Sequence, residues 1–325
     1  MSPVSATGGG KHVSVEAAFR RKALSGNIMV KVGSQTAGLT HVDRVYWPDE
    51  GYTKADLLRY YWKVAATILP HLKDRPLILT RNPNGIAAPS FFQHDVDVSE
   101  LPSFVQTVTS EAENGRMIDY VVCNNAATLL YLANMGTIAQ NPWHSRTGSL
   151  DNPDWIVFDL DPGDVGYRMV CDLALAVRGV LEGLGLQAYA KTSGSRGMHV
   201  YVPLRAKYTY EQVAAFAERL AARVVAENPL LATLERSKSK RSKKLIYLDH
   251  LQNARGKSVA SAYSVRARPG ATVSTPLKWA EVERGVDPAK FTMLTLPARL
   301  ARTGDLFAPV LQRKQSLDQV LARHG

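Results

Sequence analysis

Between residues 155 and 249 the hydrophobic period of the chain switches in one order: strand, helix, strand, strand, helix, strand. The apolar run WIVF (155–158), closed by Pro162 and Gly163, reads as a buried strand ending in a turn. A helix over 167–184 follows, with Met169, Leu173, Val177, Val180, Leu181 and Leu184 on one face and Gly185 as its C-terminal cap. Residues 187–192 and 199–204 read as the second and third strands. Thr209 and Gln212 then open a helix that carries Val213, Phe216, Leu220 and Val224 inward until Asn228 and Pro229 stop it. LIYLD (245–249) is the fourth strand. This β-α-β-β-α-β order is the split arrangement of ferredoxin-like and RNA-recognition folds, in which the first strand lies between the third and the fourth.

That strand order decides which polar residues meet. Side chains alternate along a strand, so Asp159 and Asp161 share a face while Leu160 points away. Two carboxylates side by side repel unless a cation sits between them. Magnesium or manganese supplies that charge through hard oxygen ligands. Two such ions, about 3.5–4 Å apart, can activate an attacking hydroxyl and stabilise a leaving pyrophosphate, with a third carboxylate helping to hold them. A D-x-D at a strand end is more often turn chemistry or a cap, so the motif alone decides nothing. The topology, however, predicts that Asp159 and Asp161 on the first strand, His199 on the third and Asp249 on the fourth converge.

At 325 residues the chain is one large domain or two closely packed lobes, and 45% hydrophobic with 21% charged residues describes an ordinary globular composition. A net charge of +11 favours a polyanionic partner, nucleic acid first, although a membrane surface or simple solubility also fits it. Cys123 and Cys171 stand far apart, which excludes a disulfide framework and a zinc motif and points to a reducing cytoplasm. No run reaches the length of a transmembrane helix, and no signal peptide is evident. SATGGGKH reads as a flexible leader, within an N-terminal extension over 1–35. Residues 36–325 are then a single domain: an N-terminal half (36–150), a catalytic half (151–275) and a C-terminal segment (276–325). In the N-terminal half, Thr53 and Asp56 predict a capping box and a helix over 54–69. RPLILT (75–80) reads as a strand, NPNGIAAPS as a loop closed by Phe91 and Phe92, 118–139 as either strand or helix, and QNPWHS as a turn.

Three further segments carry phosphate chemistry. KTSGSRGMHVYVP (191–203) places Ser193, Gly194, Ser195 and Gly197 in a tight turn that can aim N–H groups and hydroxyls at phosphate oxygens, with Arg196 and His199 adding donors; a plain glycine-rich hairpin has the same composition. ERSKSKRSKK (235–244) is either a solvated loop or a phosphate contact beside Asp249. Arg266 and Arg268 share a face if a strand expected over 258–265 reaches them, and could then grip a triphosphate together. Phe91 and Phe92 are either a base-stacking platform or core.

Taken together, DLDPGD, KTSGSRGMHVYVPL and YLDHLQNARGKSVASAYSVRARPGA resemble the polymerase domain of bacterial DNA ligase D, a branch of the archaeo-eukaryotic primase superfamily. The resemblance covers residues 39–281 and includes LTHVDRVYWPDEGYTKADLLRYYW and RPLILTRNPNGIAAPSFFQHD. It implies an α+β, primase-like fold, with an RNA-recognition-like catalytic half packed against an N-terminal α/β half. It also implies an end-joining polymerase that adds NTP or dNTP to a primer 3′-hydroxyl at gaps and broken ends with two Mn²⁺ or Mg²⁺ ions. By that resemblance, Asp159, Asp161 and Asp249 are the metal carboxylates, and Ser193, Ser195, Arg196, His199, Arg266 and Arg268 bind nucleotide. Lys54 contacts the template 5′-phosphate, Arg44 replaces its usual lysine partner, and Phe91 and Phe92 stack on template. Asn141 stands where a histidine is common. The implied partners are DNA bearing a 5′-phosphate, a separate DNA ligase and a Ku-type end-binding protein, and the implied location is the cytoplasm at the nucleoid. A primase starting strands without a primer, or a noncatalytic end-binding scaffold, are the competing expectations. Primer-free synthesis separates the first, and the absence of any product with manganese and nucleotide the second.

Overall fold

The computed structural model describes residues 13–112 and 114–324; the leader read in SATGGGKH (5–12) lies outside them. Its centre is a six-stranded sheet in the order Ala232–Thr233, Ile246–Asp249, Trp155–Pro162, Met198–Pro203, Tyr189–Thr192, Pro276–Leu277. The four strands read from sequence are all present, with the first between the third and the fourth and antiparallel to both. Alternation along Trp155–Pro162 explains how the two halves meet. Ile156, Phe158 and Leu160 pack with Val170, Leu173, Val177, Val213 and Phe216 from helices Tyr167–Gly183 and Tyr210–Glu227. Trp155 and Val157 face the other way, into a core shared with Leu58, Tyr61 and Leu132 of the N-terminal half. Asp159 and Asp161 continue that second face past the point where apolar packing stops.

The N-terminal half is built around helix Lys54–Leu72, opened by an Asp56 carboxylate that accepts the Thr53 N–H at 2.9 Å. It runs three residues past the expected end, with Pro70 inside its last turn. Residues 118–139 resolve into strand Met117–Val122, helix Ala126–Asn134 and strand Thr137–Pro142. The last of these pairs with Leu77–Arg81, so the first three residues of the expected QNPWHS turn are strand. The boundary expected at residue 36 falls inside a hairpin, Ile28–Val32 with Gln35–Leu39, which buries Val30, Val32, Ala37 and Leu39. Residues 13–35 are therefore part of the fold.

The strand expected over 258–265 is absent. Tyr263 adopts φ 66°, which a strand cannot contain, and only isolated bridges remain, Ser258 to Trp143 and Val265 to Val273. Buried side chains fix the segment instead: the Tyr60 hydroxyl donates to the Tyr263 carbonyl at 2.7 Å, and the Tyr263 hydroxyl donates to Asp305 at 2.7 Å.

A buried ion pair joins the halves. Arg75, fully buried, donates to both Asp154 oxygens at 2.6 and 2.7 Å and stacks on Trp155, while Arg146 adds a bond to Asp154 at 2.9 Å. Among the described residues no helix is long and apolar enough to cross a membrane.

Candidate active site

Strand register sets four polar residues in one row across the sheet. Asp249 is opposite Asp159, Asp159 opposite His199, and His199 opposite Lys191. Asp161, two residues on, lies on the same face. His199 Nε2 is 3.4 Å from Asp159 Oδ1. Burial, then the charges of Asp249 and Asp161, raise the Asp159 pKa to about 7. The other two carboxylates have protein partners. Asp161 Oδ2 faces Arg241 Nη1 at 3.3 Å, and Asp249 accepts from the Leu251 N–H and the Gln252 side chain, both at 2.8 Å. The expected convergence is thus present in register, yet among the described residues no three His, Cys, Asp or Glu close into a set that could hold a metal ion.

The glycine-rich turn walls this row. Ser193 Oγ accepts the N–H groups of Ser195 and Gly197, each at 3.1 Å, so the hydroxyl shapes the loop. Gly194 sits at φ 71°, and a Cβ there would lie 2.6 Å from Arg266 Cγ; a Cβ on Gly197 would lie 2.3 Å from the Leu160 carbonyl. Only glycine lets the turn approach this closely. A cleft of about 750 Å³ results, lined by Asp159, Asp161, Ser193, Ser195, Arg196, His199, Arg266 and Arg268. Arg266 and Arg268 meet there although no strand carries them. Arg266 is anchored by donation to the Ser193 carbonyl at 2.6 Å. A second cavity of about 540 Å³ opens from the same Asp159, His199, Arg266 and Arg268 toward Phe92, Asn141 and Gln252. Asn141 reaches the Ile78 carbonyl at 3.3 Å.

Other residues singled out in the sequence stand apart from the carboxylates. Phe91 and Phe92, on strand Phe91–Gln93, are 50% and 72% exposed, which removes the core alternative for both. Arg44 and Lys54 line neither cavity. Lys54 is buried, with Nζ donating to the carbonyls of Thr40 at 2.7 Å and Asn134 at 2.9 Å. Arg44 donates to the Pro83 carbonyl at 2.9 Å and to Asn84 at 2.6 Å. Burial, then Arg44 and Arg81, push the Lys54 pKa down to about 8. Among the described residues none of these three cations has a carboxylate partner. The basic run divides: Lys238 lines the larger cleft, and Arg241 stacks on Tyr247 at 4.1 Å on its way to Asp161.

Sequence reasoning missed Lys191, Gln252 and Arg81. Only the fold shows their place.

The model of the LigD primase-polymerase domain matches residues 53–307. The chain belongs to this family. The multifunctional non-homologous end joining protein LigD of Mycolicibacterium smegmatis is 33% identical over 277 residues, covering 84% of this chain and 36% of that protein. The bifunctional LigD of Bacillus subtilis is 33% identical over 268 residues, 82% of this chain and 42% of that protein. The chain thus spans about two fifths of the length of these relatives. A solved structure, the polymerase domain from Mycobacterium tuberculosis ligase D in complex with DNA, superposes with a TM-score of 0.78 at 32% identity, covering 85% of this chain and 98% of that one. The fold is therefore that of the LigD polymerase domains, within the archaeo-eukaryotic primase class. These domains are nucleotidyltransferase-type polymerases of DNA repair by end joining, and the family is metal-dependent.

The chemistry of Asp159, Asp161 and Asp249 suits a divalent cation. All three are oxygen donors on one face, and burial, then Asp249 and Asp161, disfavour the charged form of Asp159, which a bound cation would favour. Arg241 and Gln252 each engage one oxygen, of Asp161 and Asp249 respectively, and leave further lone pairs for an ion.

Proposed function

We propose that this chain adds NTP or dNTP to a primer 3′-hydroxyl at gaps and broken DNA ends. The observation that carries the reading is the in-register apposition of Asp159 with Asp249 and His199 on the floor of a cleft that also holds Arg266 and Arg268. Asp159, Asp161 and Asp249 would hold two magnesium or manganese ions, which supply charge neutralisation and Lewis acidity for phosphoryl transfer. The protein's own residues position and stabilise. Arg266 and Arg268 offer two guanidinium forks to one triphosphate, and Ser193, Ser195 and Arg196 of the glycine-rich turn line the same space. His199 presents a ring nitrogen beside Asp159. The second cavity leads from this point to Phe92, where a template base can stack. Arg44, Lys54 and Arg81 form a cation group without carboxylates, suited to a template 5′-phosphate.

The test is extension of a 5′-phosphorylated gapped duplex, with NTP against dNTP and manganese against magnesium. Asp159→Ala should abolish extension while DNA binding persists; undiminished extension would overturn the assignment. A DNA ligase and a Ku-type end-binding protein are the proposed partners, on chromosomal DNA, because the relatives are end-joining proteins. Failure of a Ku-type protein to recruit the chain to DNA ends in an electrophoretic supershift would count against that pairing.

A further inference from the structure

Strand Ile246–Asp249 stops pairing at the rung that carries two carboxylates. Its register with Trp155–Pro162 runs from Pro162 opposite Ile246, through Leu160 opposite Leu248, and ends at Asp159 opposite Asp249. The end of a ladder is where pairing opens first, and this last rung is also a like-charge pair that pushes apart. Beyond it the chain turns away, and the side-chain amide of Asn253 takes the place of the next strand residue. Its Oδ1 accepts the Val157 N–H at 2.8 Å, and its Nδ2 donates to the Val157 carbonyl at 2.7 Å. An amide presents a donor and an acceptor side by side, as a strand residue does. The second Nδ2 hydrogen goes to the His250 carbonyl at 2.9 Å, so the same residue closes the turn on itself. Asn253 is only 1% exposed, and bulk water does not compete for these three bonds.

The turn that Asn253 anchors also holds Asp249 by both oxygens: the Leu251 N–H donates to Oδ1 and the Gln252 side chain to Oδ2, each at 2.8 Å. A continuous path of buried or short bonds therefore runs from Val157, two residues before Asp159, through Asn253 and the turn to Asp249. The repelling pair lies between two fixed points, the Leu160–Leu248 rung on one side and the Val157–Asn253 clip on the other. We propose that Asn253 is a positioning residue for metal binding, which splices the 250–253 turn to strand Trp155–Pro162 and keeps Asp249 facing Asp159 for a shared cation. The inference rests on the metal-ligand reading of Asp159 and Asp249. Without the clip, the strand end must be re-formed against the repulsion each time the ion binds, and affinity falls.

Manganese binding to the full chain, read by electron paramagnetic resonance without nucleotide, tests this. Asn253→Leu keeps the bulk of the side chain and removes all three bonds. It should weaken manganese affinity about tenfold, the loss typical when a partner behind a metal ligand is removed. The manganese concentration that half-saturates primer extension should rise by the same factor, with kcat at saturating manganese largely retained. An asparagine that only stabilises the fold would lower the melting temperature and leave manganese affinity at the wild-type value, and that result overturns the proposal. Asp249→Ala separates the two readings. If it binds manganese as tightly as the wild type, the metal reading fails and the inference with it; if it loses binding while Asn253→Leu does not, the inference alone fails. Should Asn253→Leu not fold, the wild type decides, because a clip that favours the ion is favoured by the ion to the same degree. Magnesium should then slow hydrogen exchange of the Val157 amide about tenfold more than that of amides in helix Tyr210–Glu227, and equal slowing overturns the proposal.

Discussion

Asp159 stands directly opposite Asp249 on the neighbouring antiparallel strand, so two carboxylates occupy a cross-strand pair where opposite charges or apolar groups would stabilise the sheet. Like charges in that position destabilise. The strain is stored at the site proposed to be relieved by metal.

A pH dependence follows from the burial of Asp159 and, after it, from this pair. The Asp159 pKa is raised from 3.8 to about 7, so between those values the folded state keeps a proton that the unfolded state has lost. Its contribution is therefore unpenalised below about pH 4 and declines as pH rises toward 7, by up to about 1.4 kcal/mol per unit. His144 and His199, buried with lowered pKa values, push the other way below their ordinary range, so the difference between two proteins is the observable. In EDTA, the stability advantage of Asp159→Asn over the wild type should grow from pH 4 to 7 and then level off, as read by scanning calorimetry. Magnesium at pH 8 should raise the melting temperature of the wild type and not of the variant. A pH-independent difference would remove the raised Asp159 pKa.

Asp154→Ala tests the joint between the halves. It would leave Arg75 buried without its carboxylate, with Arg146 also unpaired. Stranding one member of a buried pair costs about 3–5 kcal/mol. The urea midpoint should fall accordingly; a loss below about 1 kcal/mol would mean that water reaches Arg75.

Phe92→Ala should separate DNA binding from folding. The ring is 72% exposed, so its loss should leave the urea midpoint unchanged. Stacking is worth about 1–3 kcal/mol per base, and affinity for a gapped duplex with an unpaired template base should drop by that amount in fluorescence anisotropy. Affinity for a blunt, fully paired duplex should not change. An equal drop on both substrates would assign Phe92 to backbone contact.

The row Asp249, Asp159 and His199 was legible because a split β-α-β-β-α-β order fixes which strands are neighbours, and alternation fixes which residues share a face. Its fourth member was not, because a lysine in a strand reads as an outward-facing charge until the carbonyl of Ala260 and the hydroxyl of Ser274 are known to surround it. The same limit hid the pairing of Arg75 with Asp154, 79 positions apart. Apolar content suggested a strand over 258–265, yet the left-handed Tyr263 breaks it, and no residue type there announces that conformation. The hairpin at Ile28–Leu39 did carry a signal: Ile28, Val30 and Val32 alternate before Gly33, which turns at φ 61°.

Lys54 provides a test of the 5′-phosphate site that is independent of catalysis. Its pKa is pushed down to about 8, first by burial and then by Arg44 and Arg81, so near pH 8 the free protein has lost part of this charge. A phosphate placed beside it favours the ammonium and raises the pKa, which couples binding to proton uptake above that value. The preference for a 5′-phosphorylated over a dephosphorylated gap should therefore be full at pH 7 and decline as pH rises through 8 to 9.5. Arg44 and Arg81 keep their charge over that range and preserve a residual preference. Anisotropy titrations of both gaps at pH 7, 8 and 9.5 measure the ratio directly. Lys54→Arg should flatten the profile, because a guanidinium does not titrate there. A ratio that stays constant in the wild type would show that Lys54 remains engaged with the Thr40 and Asn134 carbonyls when DNA is bound.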